Sequence, residues 1–279
     1  MEVFRMMDDI LPQKKGAARQ GRPKRAHGEA RVGPANVDGY FSADKVVEDY
    51  AQAALWVGLW KSERMVFERI FEPSMRLLDM GCGAGRVGVG LWKLGYRRIT
   101  GIDLSHAMAG RAQALADSLQ IPRGELSFAQ GDATDLTGVG DAGFGGAIFA
   151  FNGLMQIPGR QRRRRALREL ARVVVKGGPF FFTTHDRGNP FYAAFWKEER
   201  RLWDVGAQDA ALTEFGDRYY DSPLGKVFMH VPSRAEILED LAACGWLYEE
   251  DCARCEWADE SAQVREFSDE CRLWVARRA

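Results

Sequence analysis

From Ala43 to Phe71 apolar residues recur at helical spacing. Val47, Tyr50, Ala51, Ala54 and Leu55 share one stripe. After a break at Gly58 a second stripe carries Met65, Val66 and Ile70, so two helices are expected before the first strand. After Pro73 the period changes. Met75 to Met80 is a short apolar run bounded by turn residues, the pattern of a strand buried on both faces. Beyond it the pattern alternates: helix 86–94, strand 98–102, helix 105–119, strand 126–129, strand 144–150, helix 160–173, strand 179–184. Strands separated by helices of this length imply a parallel sheet covered on both faces.

Residues 186–230 interrupt the alternation and are dense in large rings, from Phe191 and Tyr192 to Phe228, which reads as a cap inserted after the fifth strand. Ser233 then opens a helix that Gly245 ends. The runs 246–255 and 271–276 fit a closing pair of strands. The expected fold is α/β: a doubly wound, mostly parallel seven-stranded sheet with an antiparallel final strand, N-terminal helices and the cap. Residues 1–36 read as a basic, disordered arm with a short helix at Phe4–Leu11, because Lys14, Lys15, Arg19, Arg22, Lys24, Arg25 and Arg31 lie among Gly, Pro and Ala. Residues 37–279 form one domain, with 186–230 as its cap.

Composition narrows the partners. Thirty-nine basic and thirty-nine acidic residues cancel, so no overall field draws the chain to nucleic acid or to a charged membrane. No run is long and apolar enough to span a bilayer, and the start has no signal-peptide core, which predicts a cytoplasmic protein. The run Arg160, Arg162, Arg163, Arg164, Arg165 and Arg168 resembles a nucleic-acid patch. At helical spacing, however, it goes round several faces opposite the stripe Leu167, Leu170 and Val174, and a solvated surface is expected. Five cysteines form no regular framework, so reduced thiols are expected. Cys252 and Cys255 have C-x-x-C spacing without a second such pair, and no metal is assigned.

The chemistry concentrates at Leu77-Leu78-Asp79-Met80-Gly81-Cys82-Gly83-Ala84-Gly85-Arg86: a strand, a glycine loop, a helix start. Glycines let backbone turn sharply and approach a ligand, while the free amides of the helix face the same space. Gly83, Gly85 and Gly88 also satisfy the spelling of a dinucleotide loop, so an NAD-dependent oxidoreductase competes at this point. The acids separate the two. Asp79 closes the first strand, Asp103 the second, and Asp132 follows the third, which puts three carboxylates along the crevice where ligands of open α/β sheets bind.

These residues resemble the class I S-adenosylmethionine-dependent methyltransferases over roughly residues 75 to 185, and Gly58 to Glu63 resembles uncharacterised bacterial members. The resemblance implies S-adenosyl-L-methionine as cofactor. Asp79, Gly81, Cys82, Gly83 and Gly85 would border its methionine part and Asp103 would hold the ribose hydroxyls. Asp132 and Ala133 would meet the adenine edge, with Leu104 and Met108 beside its plane. Phe151 and Asn152, at the end of strand four, would lie near the transferring methyl group.

Methyl transfer is an in-line displacement that asks for alignment, exclusion of water and sometimes a base. His185, after strand five, is the candidate base; Asn152 and Tyr192 are candidate acceptor contacts. Phe151-Asn152-Gly153-Leu154 does not spell the Asn-Pro-Pro-Tyr loop of enzymes that methylate nucleic-acid bases. The expected activity is methylation of a small molecule, with RNA or protein methylation as the alternative.

Overall fold

The computed structural model describes residues 31–222 and 225–279. Three helices, α1 (Pro34–Phe41), α2 (Asp44–Trp56) and α3 (Lys61–Ile70), precede β1 (Leu77–Met80). There follow α4 (Arg86–Lys93), β2 (Ile99–Asp103), α5 (His106–Ser118), β3 (Leu126–Gln130), β4 (Gly146–Phe149), α6 (Arg160–Val173) and β5 (Pro179–Thr184). The cap supplies α7 (Ala193–Asp204) and a hairpin of β6 (Asp217–Ser222) and β7 (Gly225–His230). The chain closes with α8 (Arg234–Ala243), β8 (Trp246–Ala253), the short helices α9 (Arg254–Trp257) and α10 (Ala262–Phe267), and β9 (Arg272–Arg278).

The seven-stranded sheet has the order β3-β2-β1-β4-β5-β9-β8. The first five strands run parallel, and β9 is antiparallel to both of its neighbours. The order reverses between β1 and β4, which leaves a crevice at their carboxyl ends. β1, β4 and β5 are buried along their whole length, as continuous apolar runs require when helices cover both faces. On one face Phe180 and Phe182 stack 4.9 Å apart and meet Trp246 and Trp274. On the other, Phe181 meets Phe67 of α3 edge-on at 4.9 Å.

Three expectations need correction. The arm does not extend to residue 36. Val32 is buried and α1 begins at Pro34, whose missing N–H costs nothing at a helix start; residues 1–30, including the helix expected at Phe4–Leu11, lie outside the described residues. Leu55 and Met65, placed on apolar stripes, are exposed; the face that α3 buries carries Ser62 and Glu63 with Val66, Phe67 and Ile70. And α6 is a solvated basic surface only in part, at the exposed Arg165 and Arg168. Arg163 is 1% exposed and pairs with Glu214 and Glu236, while Arg160 and Arg164 share Asp240. Acids distant in sequence neutralise these three arginines.

The cap is pinned to the domain by a buried charge knot. His230 meets Asp217 through Nδ1 and Glu236 through Nε2, both at 2.8 Å. Burial alone would push both carboxyls up, but the His230 bonds hold Asp217 below its usual range and, with Arg163 and Arg187, hold Glu236 down to about 2. Carboxyls with depressed folded-state pKa values add stability above the unfolded pKa and lose it as pH falls through the folded one. Stability should therefore drop between about pH 4.5 and 2, and Glu236→Gln should flatten that slope in melting temperature measured against pH. Among the described residues Glu214, Asp217 and His230 are the one group whose ligand atoms could meet a metal ion, and these ion pairs already occupy them.

Candidate active site

The crevice holds a cavity of about 1120 Å³, open mouth included. The glycine loop forms its floor. Gly81, Gly83 and Gly85 all have positive φ (62°, 51° and 91°), a region that other residues enter at a cost. A Cβ on Gly81 would also lie 2.5 Å from the Phe149 ring.

Asp103 is held ready for a ligand. Its Oδ2 accepts the Gly83 N–H at 2.7 Å and its Oδ1 accepts the Ser105 N–H at 2.9 Å, so the carboxylate is fixed with lone pairs to spare. Burial raises its pKa against the pull of those two amides. Asp132 is looser: Oδ1 accepts the Thr134 N–H at 2.8 Å and Oδ2 meets Arg162 at 3.2 Å.

Asp79 is 1% exposed and its Oδ2 accepts the Gly88 N–H at 3.1 Å. Burial pushes its pKa up to about 7, with Arg86 opposing and Glu63 assisting. An acid whose folded pKa is raised binds its proton more tightly when folded, so stability falls as pH climbs from the unfolded value toward 7. Asp79→Asn should remove that loss, giving a melting temperature above the parent's at pH 8 and close to it at pH 4.

The cavity wall includes Asp79, Gly81, Cys82, Gly83, Asp103, Leu104, Met108, Asp132, Ala133 and Phe151. Gly85 is not on it. Its φ opens α4, and a Cβ there would press on Ala112 and Phe128 at 3.1 Å, so its task is packing the helix against the sheet. Asn152, Tyr192 and His185 are also off the wall. Burial lowers the His185 pKa to about 4, leaving a neutral ring 2% exposed. Its Nδ1 donates to the Glu270 carbonyl at 3.1 Å, which makes Nε2 the acceptor for Asn152 Nδ2 at 3.3 Å. Both nitrogens are engaged away from the cavity, so His185 is corrected from candidate base to a support for Asn152.

Most other wall residues carried no local signal. Asp38 and Phe41 arrive on α1, Tyr50 on α2, Gln156 after β4, Arg162 on α6 and Phe267 on α10. Tyr50 packs 3.5 Å from where a Gly83 Cβ would stand, and Phe151 meets Tyr50 edge-on and stacks on Phe267 at 4.9 Å. Only Tyr50 lay on a stripe read from the sequence. Arg162 sat in a run whose individual faces the spacing did not resolve.

Comparison with known proteins bears on which cofactor the glycine loop takes. Residues 77–178 match a family model described as a methyltransferase domain. This stretch is a methyltransferase domain. It takes in the glycine loop, all three acids and the strand-four end. The chain is 37% identical over 153 residues to the O-methyltransferase resE of Aspergillus sclerotiorum, covering 50% of this chain and 56% of that protein. It is 32% identical over 131 residues to the probable methyltransferase ltbC of Aspergillus luteorubrus, covering 46% and 45%. The chain thus spans about half the length of these curated relatives. A solved S-adenosylmethionine-dependent methyltransferase of Methanosarcina mazei superposes with a TM-score of 0.62 at 18% identity, over 79% of this chain and 98% of that one. The cyclase SpnF superposes equally well, with a TM-score of 0.62 at 19% identity over 90% and 98%. The architecture is therefore that of the class I methyltransferases, whose fold also carries other activities.

Proposed function

We propose that the chain transfers a methyl group from S-adenosyl-L-methionine to an oxygen of a small molecule. The observation that carries this reading is the joint placement of Asp79, Asp103 and Asp132 on the wall of one cavity floored by the glycine loop of a methyltransferase domain. The cofactor, when bound, supplies a methyl carbon made electrophilic by its sulfonium. Asp103 would accept the ribose hydroxyls, Asp132 and Ala133 would meet the adenine edge, and Leu104 and Met108 would flank its plane. The Gly81–Gly83 backbone would border the methionine part.

An acceptor oxygen forms the new bond to carbon while the carbon–sulfur pair stays on sulfur and the hydroxyl proton is lost to water at the open mouth, so the protein's contribution is alignment and dryness. Phe41, Tyr50, Phe151 and Phe267 give the cavity an apolar wall suited to both. The O-methyltransferase relative supports oxygen as the atom methylated. RNA as the acceptor is disfavoured, since the arginines of α6 are largely consumed in ion pairs with acids. Incubating the protein with a metabolite extract and labelled methyl donor tests the acceptor class. Label in small organic-soluble products is expected; label confined to RNA or protein would overturn it.

A further inference from the structure

Behind the Phe151–Phe267 stack lies a group of buried polar atoms that find no partner in the protein. Trp60, 0% exposed, leaves Nε1 without an acceptor, and Arg254, 3% exposed, leaves Nη1 without one. Asn152, 4% exposed, leaves Oδ1 without a donor. They belong to one locus. The Arg254 guanidinium lies 4.9 Å from the centre of the Trp60 ring, that ring lies 6.0 Å from Phe151, and Asn152 is the next residue. Folded proteins pair nearly all their buried polar groups, and orphans gathered at a functional site point to a ligand that completes them.

The orientation of Asn152 is set rather than accidental. Because His185 Nδ1 donates to the Glu270 carbonyl, Nε2 can only accept, which turns the amide nitrogen of Asn152 inward and presents Oδ1 as the free acceptor. The backbone here is also strained. Phe151 and Asn152 are consecutive non-glycine residues with positive φ, 53° and 59°, and such strain persists where the surroundings enforce it, often at sites that bind and move.

Charge selects the ligand. Arg86 and Arg254 bring two positive charges, while Glu63, Glu260 and Glu270 bring three negative ones: Glu63 grips Arg86 at 2.6 Å, Glu270 stands 3.6 Å from Arg254, and Glu260 accepts the Lys61 and Ser62 amides. Glu63 and Glu270 thus face the two arginines, which leaves no unpaired positive charge to hold an anionic ligand. The two orphan donors call for an oxygen acceptor, and the orphan Oδ1 for a hydroxyl beside it.

We propose that the methyl acceptor displaces the Phe151–Phe267 stack and places its oxygen against Trp60 Nε1 and Arg254 Nη1. The substrate class is then an uncharged planar molecule bearing a phenolic hydroxyl or a ring-conjugated carbonyl. This rests on the methyltransferase reading of the adjoining cavity and names the acceptor's subsite, which the cavity wall alone does not. Phe151, Phe267 and Arg86 are common to both.

The test uses the full chain saturated with S-adenosylhomocysteine and follows binding of 4-hydroxyacetophenone and 4-hydroxybenzophenone by NMR titration, with 4-hydroxybenzoate as the charged control. At least one neutral phenol should bind, and more tightly than the benzoate. Trp60→Phe keeps the ring on which both arginines stack and removes only the N–H; it should weaken the phenol about tenfold while leaving S-adenosylhomocysteine affinity unchanged. Arg254→Gln should weaken it further, and the Trp60 variant decides the matter if that protein does not fold. Failure of both phenols to bind, tighter binding of the benzoate, or parental affinity in Trp60→Phe would overturn the proposal. Loss of S-adenosylhomocysteine binding by the parent would instead overturn the methyltransferase reading beneath it.

Discussion

Asp103→Ala should lose most of its affinity for S-adenosylhomocysteine, by roughly tenfold to a hundredfold in calorimetry. Hydrogen bonds to an ionised group are worth about 1.5–3 kcal/mol each, and about 1.4 kcal/mol is a factor of ten in binding. The carboxylate is fixed in advance by the Gly83 and Ser105 amides, so a ribose meeting it pays little to orient it. Asp103→Asn should fall between the two, since its carboxamide keeps one acceptor oxygen but carries no charge. The alanine variant also strips two amides of their acceptor, and its melting temperature should drop by a few degrees, on the order of one lost hydrogen bond or two. Parental affinity in the folded alanine variant would remove the ribose assignment.

Arg86→Met should be the most destabilising single change in the site. Arg86 binds Glu63 through both Nη atoms, at 2.6 and 2.7 Å, and donates to the Gly58 carbonyl at 2.9 Å. The Glu63 side chain is 0% exposed and that of Arg86 is 10% exposed. Removing one partner of such a pair strands a charge in the interior, which costs about 3–5 kcal/mol. The double variant Arg86→Met/Glu63→Gln should recover much of the loss in urea unfolding, because the amide still accepts the Trp60 N–H and no charge is left unpaired. A double variant no more stable than the single would show that the arginine acts through its packing on Trp60, 4.9 Å away, and not through the ion pair.

Much of this site was legible in the sequence because the relevant signals are local. A strand that ends in an acid and runs into glycines declares itself within ten residues. Asp103 and Asp132 follow from counting strands, since the parallel register carries every strand end to the same edge. What could not be read depends on the fold. Phe267 reaches the cavity from α10, far along the chain, and Arg162 became a wall residue only through the rotation of α6 about its axis. Nothing in Thr183-Thr184-His185-Asp186 says that the ring turns away from the cavity; that follows from a carbonyl 85 residues later, at Glu270. Part of the arginine run misled for the same reason, as Glu214, Glu236 and Asp240 pair with Arg163 and Arg164 from segments that local pattern cannot connect. The extension of order back to Val32 also rests on a distant contact, the backbone bond from Val32 to Ala211.

The central claim is that the cavity between the glycine loop and Asp103 takes a methyl-donor cofactor. Calorimetric titration of the full chain with S-adenosylhomocysteine and, separately, with NAD tests it most directly. The geometry predicts one-to-one binding of S-adenosylhomocysteine that Asp103→Ala abolishes or greatly weakens, and no saturable binding of NAD. Saturable binding of NAD with no response to S-adenosylhomocysteine would contradict it.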